Sequence, residues 1–519
     1  MSAIVSSRAL LALTLLFTLL YLADLGLPRD LWVQDEARYG EVVREMLVDG
    51  HWLIPHLNGH PYPDKPPVYF WLVAAVGALV GQGEGAFRLV SVLATALAAA
   101  GVWRVARELF DTPTAHWSAA LFLSTLLTLV VGHINRMDMP LTAAAVWAWY
   151  ALLRRHAGGS AASLAGFWLG CALTVAFKGP IGLLFTVCPA LVWLVLEERR
   201  SLLKTLRPFL GLAALALAVA GWIAAVWAAG QGAYLERIWN EQLVGRAVKS
   251  WSHREPFWFY LALLPLLLMP WTGLVVAGGA QLRQRRDSAW RTLATFALVP
   301  LVALSAVSGK LFIYLEPLIP ALAVAGGLAA ARLAGVARVP LAIALAPALF
   351  CAMLAAAFGW AAMTRHEIAP IWSAAMALGF ALIAGAGLVL ARSGGRTWLV
   401  GWLVASVALN ALLFGALAQM LDPAFSARAL GRYVAEQARG GEVGVVHTTR
   451  GILNYYAGRR FIEVALGDAA AWHRAHPDAL LIVQAKHARQ IVARADDCAI
   501  NRSFDIEFKT YRVLGTCPR

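Results

Sequence analysis

Two short runs carry most of the chemistry that this sequence can offer. The first, from Asp35 to Tyr39, packs two carboxylates, a guanidinium and a phenol into five residues (Asp35, Glu36, Arg38, Tyr39). The second, from Tyr62 to Pro67, sets Tyr62, Asp64 and Lys65 before a double proline. A third acid, Asp138, stands in HINRMDMPLT just before a proline suited to a helix start. A carboxylate here can take the proton of an attacking hydroxyl. The plainer reading of Asp35 and Glu36 is that they open a helix, since acids favour helix N-termini. Lys65, Arg246 and Lys310, with Lys178 in AFKGPIG, form a cationic set able to hold a phosphate and offset charge on a departing one. Tyr39, Tyr62 and Tyr314 add hydroxyl donors. The plainer reading of the cations is snorkelling anchors at a membrane surface.

These residues must be positioned by a membrane protein. The chain has 519 residues, 60% hydrophobic and 14% charged, with a mean hydropathy of +0.65. Soluble domains are only about 45–50% apolar. The net charge of +14 does not indicate nucleic acid, because the arginines cluster in short runs between apolar stretches and read as orientation signals. Apolar stretches run at 9–27, 68–84, 87–108, 114–134, 139–154, 162–177, 179–196, 208–230, 257–280, 292–308, 312–333, 339–362, 371–391 and 398–420. The segment 68–84 is short, glycine-rich and preceded by two prolines, which suits a juxtamembrane or re-entrant helix. With that segment excluded, Arg104/Arg107, Arg154/Arg155, Arg199/Arg200, Arg283/Arg285/Arg286, Arg332/Arg338 and Arg392/Arg396 all fall in the cytoplasm. The expected architecture is an α-helical polytopic protein of about 13 spans, N-terminus inside and C-terminus outside.

That topology puts Asp35, Glu36, Asp64, Lys65, Asp138, Lys178, Arg246, His253 and Lys310 on one extracytoplasmic face. Ionisable residues near membrane depth usually line a cavity or pathway, so their convergence argues for one site. The expected divisions are a transmembrane catalytic domain over 1–421, with a first periplasmic loop at 28–86 and a second at 231–256, and a periplasmic α/β domain over 422–519 whose composition turns soluble. Residues 1–21 read as a span, without a cleavage site. Asp64 and His253, with Glu241 as a third, are candidate ligands for a divalent metal such as zinc, although zinc sites ordinarily use three or four ligands and a histidine more often makes a structural hydrogen bond. Cys498 and Cys517, both in the polar C-terminal region, are candidates for a disulfide or two free thiols.

The ordered series DEARY, YPDKPP, RMDMP, FKG, HREPFWFY and SGKLFIYLEP resembles the GT-C glycosyltransferases of the ArnT and protein O-mannosyltransferase type, over nearly the whole chain. The resemblance implies a GT-C fold, a periplasmic cavity and a polyprenyl (undecaprenyl) phosphate sugar donor. It implies transfer to lipid A, lipopolysaccharide or another envelope acceptor by a monomer in the bacterial inner membrane. Carried across, Asp35 is the principal acid, Asp138 and Glu36 its neighbours, and Lys65 and Arg246 contact the carrier phosphate. Tyr39, Tyr62, Tyr314 and Lys310 line the cavity, and Asp64 and His253 fall where relatives hold zinc. Asp64 departs from the glutamate of the lipid A enzymes, and the NEQLVGR loop also reads differently, so sugar and acceptor stay open. The competing readings are a protein serine or threonine acceptor on the same fold and, from another class, a lipid-phosphate transporter. A transporter should carry charges near the bilayer midplane and broken helices.

Overall fold

A computed structural model of the chain describes residues 12, 15–26, 29–33, 35–197, 206–240, 254–364, 370–446, 448, 450–491 and 500–515. Arg246, Glu241, His253, Cys498 and Cys517 lie outside the described residues.

The N-terminal helix α1 (15–23) exposes Leu15, Leu16, Leu19 and Leu22. α2 (Asp35–Asp49) follows; it is the opposite in character, with charged residues buried among apolar ones. A two-stranded hairpin of β1 (His56–Leu57) and β2 (His60–Pro61) turns through Asn58 and Gly59, both at positive φ. α3 (Val68–Val80) has 13 residues, a rise of roughly 20 Å, too short to cross a hydrocarbon layer of about 30 Å. The helix begins directly after the double proline. α4 (Glu84–Leu109), α5 (Thr112–Ser124), α6 (Leu126–Gly132), α7 (Asp138–His156) and α8 (Ala161–Lys178) form the heart of the bundle. Asp111 caps α5, its carboxylate accepting from the Thr114 N–H at 2.8 Å, and Pro113 sits in the first turn where its missing N–H costs nothing.

Among the described residues, seven helices are long and apolar enough to cross a membrane, or nine if each of two bent pairs is one span. That is fewer than the expected thirteen, and the reasons are local. The stretch expected at 114–134 bends by 63° between α5 and α6, and the one at 257–280 bends by 110° between Phe259–Leu267 and Thr272–Arg285. α7 carries Asp138 in its first turn and Arg154, Arg155 and His156 in its last. Residues 395–425 are interrupted by a π-helical stretch, Ala411–Leu417. Length and uniform apolarity are therefore lost where the chain bends or carries charge.

The bundle core gathers large side chains, Trp149, Trp271 and Trp398 among them, at or below 1% exposure. Small residues allow close approach: a Cβ on Gly278 would lie 1.9 Å from the Ala325 carbonyl oxygen, so only glycine fits at that helix crossing.

Beyond the last helix of the bundle (Ala418–Phe425), the C-terminal region forms one five-stranded sheet in the order β4-β3-β5-β7-β6. β3 (Val443–Val446), β4 (Ile462–Val464) and β5 (Leu480–Gln484) are parallel, and β6 (Asn501–Ile506) and β7 (Lys509–Leu514) add an antiparallel hairpin. β3 and β5 are continuous buried apolar runs, as strands covered on both faces should be. Helices cross over between the parallel strands, so the α/β expectation holds.

This domain is fastened to the first loop. The Asn58 amide donates to the Phe461 carbonyl and to Glu463, both at 2.9 Å, and accepts from the Phe461 N–H at 2.7 Å and from Asn454 at 2.8 Å. All four of its hydrogen-bonding positions are used. Arg460 reaches Asp49 at 2.8 Å, and the Leu31 N–H donates to the Tyr456 hydroxyl at 2.7 Å.

Candidate active site

α2 decides which of its two leading acids faces which neighbour. Successive helical residues point about 100° apart, whereas residues three and four apart share a face. Asp35, Arg38 and Tyr39 therefore look one way and Glu36 another. Asp35 pairs with Arg136, and Arg38 stands 3.8 Å away one turn on. Glu36 turns to Arg29, which grips it through two nitrogens at 2.7 and 3.0 Å, and also accepts from the Asn135 N–H at 2.9 Å. Expected beside Asp35 as a catalytic acid, Glu36 instead holds the turn 133–137 in place. Ser91 assists by donating to the Ile134 carbonyl at 2.7 Å, and Tyr69 by donating to Asn135 at 2.7 Å.

That turn presents Arg136, whose guanidinium bridges the two expected acids. It pairs with Asp35 on one side and with Asp138, at 3.0 Å, on the other. Asp138 is wholly buried at the first turn of α7, and its second oxygen accepts from Lys178 at the end of α8. Lys178 lies over the Tyr314 ring, 4.3 Å from the centroid, and Arg136 lies 5.9 Å from that of Tyr39. Two acids, two cations and two tyrosines from four separate stretches thus meet at one end of the bundle. The Asp35 side chain keeps 26% exposure and that of Asp138 none, so Asp35 is the acid of the pair that a substrate can reach. The Tyr39 phenol is held well above its usual range, by burial first, with Tyr62, Asp138 and Tyr314 raising it further and Arg38 opposing. Those influences place all three expected tyrosines in one electrostatic neighbourhood.

Other expected members lie apart. Lys310 is 3% exposed and donates to the carbonyls of Glu255, at 3.0 Å, and Val307, a use that braces the chain between two helices. Lys65 donates to the Asp64 carbonyl at 3.3 Å. The loop holding both packs on Tyr234, whose hydroxyl donates to the Tyr62 carbonyl at 3.3 Å and whose phenol is raised by burial and then by the Asp64 charge. Tyr234 belongs to a short helix, Gly232–Arg237, just ahead of the stretch containing Arg246 and His253. Among the described residues, no group of three histidines, cysteines, aspartates or glutamates stands ready for a metal.

Arg136 and Glu316 escaped the sequence reading. Arg136 carried a usable signal, since an arginine on the outer face breaks the positive-inside pattern just as Lys65 does. Glu316, within Phe312–Leu333, is fully buried and accepts from the Thr128 hydroxyl at 2.8 Å. A cavity of about 250 Å³ lies away from the acids, between Asn58 and β3 and β4 of the C-terminal domain. Its amides bond one another, which marks it as part of the joint between loop and domain.

The fold is the one seen in ArnT, and the chain is similar in sequence to mannosyltransferase and arabinosyltransferase proteins. Residues 64–225 match the family model for dolichyl-phosphate-mannose-protein mannosyltransferase. Among individual proteins, the chain is 32% identical over 314 residues to undecaprenyl phosphate-alpha-4-amino-4-deoxy-L-arabinose arabinosyl transferase 2 of Pseudomonas fluorescens (strain Pf0-1), covering 58% of this chain and 56% of that one. It is 31% identical over 319 residues to the corresponding transferase of Edwardsiella ictaluri (strain 93-146), covering 60% and 57%. The matched region thus spans little more than half the length of these relatives. In three dimensions the likeness is complete in extent: the crystal structure of ArnT from Cupriavidus metallidurans in the apo state superposes with a TM-score of 0.81 at 18% identity, covering 100% of both chains. The same enzyme bound to undecaprenyl phosphate gives 0.80 at 19%, covering 99% of both.

Proposed function

We propose that this protein is an inner-membrane glycosyltransferase that moves a sugar from undecaprenyl phosphate, or a similar polyprenyl phosphate, to lipid A, lipopolysaccharide or another envelope acceptor on the periplasmic side. The observation that carries the reading is the Asp35–Arg136–Asp138–Lys178 cluster at one end of a GT-C bundle. Similarity to transferases named for an undecaprenyl-phosphate donor supports it.

In this reading the sugar's anomeric carbon is attacked by an acceptor oxygen as the bond to the carrier phosphate breaks. The phosphate leaves as a stabilised anion, so no acid need protonate it. Cations hold it and offset its growing charge, and Lys65 and Arg246 are assigned that task. Asp35, partly exposed, takes the proton of a hydroxyl acceptor; with a phosphate acceptor it orients the sugar. Asp138 is a positioning residue that holds Arg136 and Lys178. Tyr39, Tyr62 and Tyr314 line the pocket, and Lys310 braces its rim. Asp64 and His253 remain assigned as metal ligands only through the family resemblance.

The finer topology belongs to the same proposal: about 13 spans, counting the bent pairs, the charged α7, the interrupted stretch 395–425 and the N-terminal helix. Separating 162–177 from 179–196 is supported by Gly182, whose Cβ would lie 2.2 Å from the Thr174 carbonyl oxygen. Eight residues of continuous helix would carry it about 12 Å onward. The boundary near residue 421 and the monomeric state are proposed with it.

The test is sugar transfer from a synthetic polyprenyl-phosphate donor in membranes containing the protein. Loss with Asp35→Asn and Lys65→Ala supports the site, and undiminished transfer in both overturns it. Supplying lipid A and a serine-rich peptide in parallel distinguishes the lipid acceptor from a protein acceptor, which the name of the matching family model favours.

A further inference from the structure

The hairpin joining β6 to β7 is built against local preference. Glu507 and Phe508 occupy its two central positions at φ +51° and +62°. Such turns favour Asn-Gly or Asp-Gly, because a side chain in the left-handed region crowds its own backbone. Phe508 is moreover 95% exposed, the most exposed large apolar side chain among the described residues. A backbone at positive φ that displays a phenylalanine at 95% exposure carries two costs. Strain of this kind points to a function at the site.

The tip's location identifies what covers it. The Glu507 N–H donates to the Ala424 carbonyl at 2.7 Å, at the end of the last bundle helix, and the Phe508 ring meets Phe425 edge-on at 5.8 Å. Phe425 in turn packs on Trp32 at 5.3 Å. The height follows from Arg428, which pairs with Asp30 at 2.7 Å and with Glu84, the first residue of α4. α4 has 26 residues, a length of roughly 39 Å against a hydrocarbon layer of about 30 Å. Its first residue therefore lies within a few ångströms of the hydrocarbon edge, among the headgroups. Leu25, in the 3-10 turn that follows α1, is at the same level, its carbonyl 2.5 Å from a Cβ on Gly85. Exposed Leu19 and Leu22 just below it continue the lipid-facing surface upward to exposed Pro423 and Ala424. Beside Phe508, Lys509 is exposed and suited to anionic headgroups.

We propose that the β6–β7 tip is a lipid anchor: Phe508 enters the outer leaflet of the surrounding bilayer, with Lys509 at headgroup level. The anchor fixes the height of the C-terminal domain, adding to its polar latch on the first loop and to the apolar packing of Val33 and Tyr455. The occupant is phospholipid, because the tip continues the lipid-facing surface of the spans and joins an aromatic group at interfacial depth.

The proposal is tested with the full-length protein in nanodiscs of phosphatidylethanolamine and phosphatidylglycerol, with benzoylphenylalanine replacing either Phe508 or Ser503. Ser503 is exposed on the same hairpin but about 10 Å back along the strand from the last paired residues. After irradiation, intact mass measurement is expected to show phospholipid adducts at 508 in at least about tenfold excess over 503, as depth-dependent lipid contact requires. Equal yields at both positions, or crosslinks from 508 to protein in place of lipid, would overturn it. Sugar transfer measured on the same samples keeps this outcome separate from that of the proposed activity.

Discussion

Asp35 and Arg136, 101 residues apart in the chain, form an ion pair, and the same guanidinium holds Asp138. One arginine thus ties α2, in the first loop, to the start of α7. The pairing also divides labour between the acids, since only Asp35 keeps an exposed edge.

Replacing each acid by its amide should separate the two roles. Asp35→Asn should cut transfer by about 10²-fold or more and leave thermal stability nearly unchanged, because its pair is partly open to solvent. Asp138→Asn strands two cations against a buried amide. It should lower stability by about 3–5 kcal/mol, read as a lower unfolding midpoint in detergent, and reduce transfer with it. Equal stability losses in both variants would contradict the division.

Glu36→Gln separates a catalytic role for this acid from one of holding the 133–137 turn. The Arg29–Glu36 pair is buried, so its loss should destabilise the protein by about 3–5 kcal/mol. Enzyme that stays folded at low temperature should keep a near-normal kcat, because the side chain serves the 133–137 turn. A kcat loss as large as that of Asp35→Asn would restore Glu36 to the catalytic set.

Asn58→Ala examines the latch between the loop and the C-terminal domain. It leaves the Phe461 N–H and carbonyl unpaired, at a cost of about 2–4 kcal/mol. Because the latched hairpin leads directly to Tyr62 and Lys65, the KM for the polyprenyl donor should rise more than kcat falls. A kcat loss at constant KM would show that the latch does not act through the donor loop.

Glu41 makes stability depend on pH. It is hydrogen-bonded to Arg44 at 2.7 and 2.8 Å, yet burial outweighs that partner and raises its carboxyl from 4.5 to about 7. Between those values the folded protein holds a proton that the unfolded chain has released. Stability therefore falls as pH rises through the window, by on the order of 3 kcal/mol in all, and levels off above it. Unfolding midpoints at pH 5 and pH 8 should differ less in Glu41→Gln than in the parent; an undiminished difference would assign the dependence to other groups.

Much of this protein was legible in one dimension. Apolar runs punctuated by arginine clusters declared a membrane bundle and an outer face, because bilayer thickness and charge placement act on local sequence. The same logic singled out Asp35, Asp138 and Lys178, since charge at that depth needs a reason, and the short α3 followed from two prolines and a run of insufficient length. The turn of soluble composition near residue 421 likewise announced the α/β domain. Other features needed the folded chain. Glu36 and Asp35 are neighbours in sequence, and only the rotation of α2 sent one to Arg29 and the other to Arg136. Lys310 reads as one more cation until two carbonyls are found to occupy it. Arg136 looked like an unremarked residue of a turn until α2, α7 and α8 closed around it. Composition and periodicity report what a segment needs from its surroundings; which partner meets that need is set by contacts between distant segments, and those exist only in the tertiary structure.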